Sequence, residues 1–88
     1  MRKDEIEEVA KAFGTAVNTA RNAGFDAVEI HAGHGYLISQ FLSPYTNRRR
    51  DEYGGSLDNR MRFMRMCMEN VMKAAGSDMA VIVKTNMR

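Results

Sequence analysis

The feature that most constrains this chain is a helical pattern that runs within a few residues into a short β pattern, written twice in 88 residues. A helix joined so tightly to a strand is the αβ half of a βαβ unit, and two in series predict a parallel strand pair. In the first unit Ile6, Val9, Ala10, Phe13, Ala16, Val17 and Ala20 recur at steps of three and four, with Glu7, Lys11, Asn18 and Arg21 on the opposite face. Asp4, with Glu7 three residues on, has the form of a capped start, and Gly24 that of a left-handed stop, so the helix is expected over residues 4–23. A strand is expected over residues 27–31, with Ala27, Glu29 and His31 on one face and Val28 and Ile30 on the other. In the second unit Met61, Met64, Cys67, Met68, Val71, Met72 and Ala75 predict a helix over residues 57–75, behind a Ser56 cap and before Gly76. The methionines read as adaptable core filler, and Cys67 as a buried, inert thiol. The apolar run Ala80-Val81-Ile82-Val83 lies in a strand expected over residues 79–85, and it suits a parallel strand covered on both faces.

Residues 32–56 are punctuated by Gly33, Gly35, Pro44, Asn47, Gly54 and Gly55, although Tyr36 to Leu42 can form two helical turns. A loop of that length is usually functional. It leaves the C-terminal end of the first strand, where α/β barrels and open α/β sheets build their active sites. Two parallel strands alone close neither a face nor an edge, so the sequence reads as a piece of a larger α/β protein. Composition serves mainly to exclude. Thirteen basic against 11 acidic residues give a net charge of +2, too even to imply nucleic acid or an anionic membrane. No apolar stretch is long enough to span a bilayer, and no signal-peptide pattern is present. A single cysteine makes neither an internal disulfide nor a zinc cluster and fits a reducing, cytoplasmic setting. Arg48-Arg49-Arg50-Asp51-Glu52 reads as a salt-bridged loop, since acids follow the arginines at once.

The densest chemical signal is His31-Ala32-Gly33-His34-Gly35-Tyr36. In a regular strand His31 and His34 point opposite ways, but the glycines let the backbone leave β geometry so that His31, His34 and Tyr36 can share one pocket. Imidazole N–H groups can polarise a carbonyl or nitro oxygen. A tyrosine, with reference pKa about 10, can deliver a proton while staying neutral at pH 7. The same histidines can also be metal ligands or hydrogen-bonded core. Glu29 is costly to bury alone and has Lys84 as its natural partner if the strands are neighbours; Lys84 can instead touch a cofactor.

The run from Gly24 to Ile38, then Gln40-Phe41-Leu42-Ser43-Pro44, then Asn47 through Arg60, resembles the old yellow enzyme family, FMN-dependent NAD(P)H:flavin oxidoreductases. The closest flavour is the bacterial branch of 2,4-dienoyl-CoA reductases, trimethylamine dehydrogenase and bile-acid-inducible oxidoreductases. The resemblance implies that residues 1–88 are a fragment of a (β/α)8 TIM barrel, holding strands four and five and roughly a third of the fold or less. It implies that His31 and His34 bind the electron-withdrawing oxygen of an activated alkene, that Tyr36 is the proton donor, and that Lys84, at a position usually arginine, contacts the flavin near N1 and O2. In such enzymes NAD(P)H reduces FMN, and the flavin then passes a hydride to the alkene. Some relatives add an iron–sulfur cluster and an FAD domain. The isolated fragment is expected to be inactive and to self-associate; the competing expectation is a non-catalytic structural or interaction module, or a parent with amine-dehydrogenase chemistry.

Overall fold

In the computed structural model, which describes residues 1–32, 37–77 and 79–85, the first helix, α1, spans Lys3–Asn22. Its cap is not Asp4. Arg2 takes the extended N-cap position, and its backbone N–H donates to Glu5 Oε1 at 2.8 Å. Asp4 and Glu5 thus lie in the first turn, where carboxylates favour the unbonded N–H groups and the positive end of the helix dipole. At the other end Gly24 adopts φ 93°, Phe25 N–H donates to Ala20 O at 3.1 Å and Gly24 N–H to Arg21 O at 3.1 Å. That is a Schellman stop, which turns the chain directly into β1, Ala27–Ala32.

After β1 come α2 (Leu37–Leu42), a loop, α3 (Leu57–Arg60), α4 (Arg62–Ala75) and β2 (Ala80–Thr85). Ser56 caps α3 through its hydroxyl, which accepts from Asn59 N–H at 3.1 Å. The single helix expected over 57–75 is divided at Met61, which closes α3 and opens α4. β1 and β2 are parallel, with Ala27 opposite Ala80 and His31 opposite Lys84.

One face of this strand pair is packed. Ile30 and Ala32 are buried there, with Val28, Val81 and Val83 partly covered. The helices supply most of the rest of the core, Ile6, Ala10 and Val17 of α1, Ile38 and Phe41 of α2, and Phe63, Cys67, Val71 and Ala75 of α4, and Tyr53 and Met79 complete it from outside the helices. The Phe63 ring stacks on Phe41 at 4.5 Å and meets Phe13 edge-on at 6.4 Å. Where α1 crosses α4, Asn70 Nδ2 donates to Ala10 O at 3.1 Å and to Met66 O at 3.0 Å.

Two expectations need correction. The other face of the sheet, with Ala27, Glu29, His31, Ala80, Ile82 and Lys84, is exposed, so β2 is covered on one side only and Ile82 is 54% accessible. The methionine stripe is not the core face of α4. The inward stripe is Phe63, Cys67, Val71 and Ala75, at steps of four, while Met61, Met64 and Met68 are half-buried beside it and Met72 is 53% accessible. The apolar arc of α4 is wider than α1 alone can cover. No helix among the described residues is long and apolar enough to cross a membrane.

Candidate active site

Because β1 and β2 run the same way, their C-terminal ends emerge together on the open face. Register sets His31 directly opposite Lys84, on strands separated by about 4.8 Å. Glu29 stands opposite Ile82, not Lys84. The expected Glu29–Lys84 ion pair is absent among the described residues, where the pairs are Arg2 with Asp4 and Glu5, Lys3 with Glu52, Arg49 with Asp51, and Arg65 with Asp58. Both Glu29 and Lys84 are exposed, so water solvates each charge and nothing compels them to pair. His34 and Tyr36 lie outside the described residues. The backbone alone therefore brings an imidazole and an ammonium to one wall. Lys84 carries three N–H donors and no acceptor, so it can serve only as a hydrogen-bond donor and a positive charge.

The loop after α2 is held by side chains that donate to backbone carbonyls. Asn47 Nδ2 donates to Phe41 O and to Tyr53 O, both at 2.7 Å. Arg60 reaches Leu42 O at 2.9 Å and Gly55 O at 2.7 Å, and Arg62 reaches Glu52 O at 2.7 Å. Arg49 grips Asp51 with two bonds, at 2.6 and 3.1 Å, and donates to Met1 O at 2.6 Å. That grip holds the Asp51 carboxyl below the usual carboxylate range and raises Arg49 in turn. Burial is the main force raising the Tyr53 phenol, and it pushes the Cys67 thiol up to about 12. Gly54 is obligatory here, since a Cβ would run into the carbonyl oxygen of Arg49.

These donors were not legible as site residues. In sequence Asn47 is loop punctuation, and Arg60 only closes the run that carries the family resemblance. The one available signal was several Asn and Arg residues flanking a glycine-rich turn that leaves carbonyls to satisfy. A hollow of about 630 Å³ opens beside them, between Ala32, Leu42, Pro44, Tyr45 and Leu57. It does not include His31 or Lys84, which stand on a flat two-stranded wall.

Comparison with known proteins places this arrangement. The profile of the NADH:flavin oxidoreductase / NADH oxidase family matches residues 1–88. An NADPH dehydrogenase of Clostridium acetobutylicum is 46% identical over 86 residues, 98% of this chain and 25% of that protein. A cinnamate reductase of Clostridium sporogenes is 45% identical over 86 residues, 97% of this chain and 13% of that protein. The solved complex of 2-naphthoyl-CoA reductase with 2-naphthoyl-CoA superposes with a TM-score of 0.90 at 40% identity, over 94% of this chain and 13% of that one. The chain thus spans a quarter or less of these TIM-barrel relatives. The sequence match over the whole chain and the structural superposition agree: this chain belongs to the FMN-dependent NADH:flavin oxidoreductase / NADH oxidase family, the old yellow enzymes.

Proposed function

We propose that residues 1–88 supply strands four and five and the intervening active-site loop of a (β/α)8 ene-reductase, a cytoplasmic enzyme acting on small molecules with an activated alkene. The observation that carries this reading is the register of the sheet: His31 and Lys84 stand side by side on the open face, at the strand ends where such barrels hold their chemistry. FMN, when bound, supplies hydride transfer between NAD(P)H and the alkene. Lys84 would hold the flavin by its positive charge. His31 and His34 donate N–H bonds to the electron-withdrawing oxygen of the substrate and stabilise the charge that develops there, as an oxyanion hole does. Tyr36 gives its phenolic proton to the carbon next to the activating group. A conjugated acid such as cinnamate, which names the substrate of one relative, has the required polarised double bond. An iron–sulfur cluster or FAD of such a protein needs ligands beyond these 88 residues, which contain one cysteine. The two strands alone give no enclosed flavin site, so the isolated chain is inactive.

The test is a chimaera in which residues 1–88 replace the matching segment of the C. acetobutylicum NADPH dehydrogenase. Tyr36→Phe in that barrel slows flavin reoxidation by cyclohexenone about a hundredfold or more. Flavin reduction by NADPH stays largely unchanged. Equal loss in both half-reactions contradicts the role given to Tyr36.

A further inference from the structure

Beside its core stripe α4 carries a second apolar stripe. Met61, Met64, Met68 and Met72 follow one another at steps of three, four and four, so they lie along one side of the helix. They line a shallow groove of about 770 Å³ that lies open among the described residues. The rim of the groove is charged in a definite order. Asp58, Arg65, Glu69 and Lys73 read minus, plus, minus, plus along it. Asp58 belongs to this line because Arg65 Nη2 donates to its Oδ1 at 2.6 Å. Glu69 and Lys73 form no ion pair among the described residues, although they carry opposite charges one turn apart.

We propose that this side of α4 docks a second copy of the same chain, helix antiparallel to helix. The charge order selects that occupant, because reversed it reads plus, minus, plus, minus and so complements itself. A two-fold axis across the helix near Met66 sets Met64 of each copy against Met68 of the other and brings Met61 near Met72 at both ends. The same axis sets Arg65 against Glu69 twice, and Asp58 near Lys73 twice. Such a contact is isologous: whatever one copy offers, the other accepts. A parallel two-fold pair sets each rim charge against its own twin, and like charges repel. α4 has 14 residues and is about 21 Å long, so one antiparallel crossing covers all four methionines. Their unbranched thioethers adapt to a seam made of copies of themselves. Nothing in this docking depends on the flavin site.

The experiment is sedimentation equilibrium on the 88-residue chain at low salt, with circular dichroism to confirm that each variant is folded. The variants are Arg65→Glu, Glu69→Lys, an equimolar mixture of those two, Met68→Gln and Ile82→Lys. The unmodified chain is expected to dimerise. Arg65→Glu and Glu69→Lys each turn two attractive contacts into two repulsive ones, so each weakens the dimer about tenfold or more. The mixture regains the dimer, because the two reversals compensate each other across the axis. Added salt shrinks the differences between the charge variants. Met68→Gln, which brings an amide into the seam, also weakens the dimer about tenfold. Ile82→Lys, on the bare sheet face, changes it by less than about threefold. A mixture no tighter than its components overturns the proposal, as do charge variants that dimerise like the unmodified chain. Loss of the dimer in Ile82→Lys but not in Met68→Gln moves the interface to the sheet and overturns it too. An unmodified chain that stays monomeric leaves the groove to another segment of a longer polypeptide, which also contradicts the assignment. Should Arg65→Glu, having lost its bond to Asp58, not fold, Glu69→Lys and its salt dependence decide together with Met68→Gln.

Discussion

Asp51 is the clearest case of a residue whose role lies in its partners. Arg49 holds the carboxylate with two bonds and keeps its pKa below the ordinary value, so the charged form is favoured in the folded chain. A depressed native pKa adds stability above the unfolded carboxylate value of about 3.9, and the contribution is lost as pH falls through the native value. For a partly exposed pair this amounts to roughly 1 kcal/mol. Denaturation midpoints of the chain and of Asp51→Asn are therefore expected to differ at pH 7 and to converge in acid; a constant gap across that range contradicts the assignment. Cys67 shows the opposite situation. Its spacing with Val71 and Ala75 reveals its burial, and burial raises the thiol further above its ordinary range. Asn47 is different again. Its partners are the carbonyls of Phe41 and Tyr53, six residues away on either side, and no spacing rule encodes a carbonyl that a short helix leaves free.

Among the elements, local signals read well and shared surfaces read poorly. Gly24 and Ser56 mark a helix end and a helix start that the backbone adopts, because both act through bonds within a few residues. The cap of α1 reads two residues late, at Asp4 and not Arg2, since Glu5 caps back onto Arg2 and competes with the Asp4–Glu7 pattern. The methionine stripe misleads for another reason. Periodicity shows which residues are apolar, not which part of a wide apolar arc a neighbour covers. Phe63→Ala is therefore expected to cost about 3–5 kcal/mol by urea denaturation, while Met72→Ala, on the uncovered side, costs about 0.5 kcal/mol or less. Equal costs would restore the methionines to the core.

At the scale of the whole molecule, the parallel pair, its direction and the loop at its C-terminal end follow from the order of patterns. The bare face does not, because an apolar strand reads the same whether or not its cover lies within these residues. Ile82 and the Met61–Met72 side of α4 leave apolar surface open, on a sheet of two strands among the described residues. The isolated chain is thus expected to self-associate, seen as a sedimentation coefficient that rises with concentration. A monodisperse monomer with a sharp cooperative melt contradicts this. In the proposed barrel the same bare face is the wall that would look onto the flavin. Whether these residues serve as that wall is measured by the FMN content and turnover of the unmodified chimaera with the C. acetobutylicum enzyme. One FMN per barrel, with NADPH-driven reduction of cyclohexenone, is the predicted result; a colourless or inactive barrel, where the parent dehydrogenase is yellow and active, contradicts it.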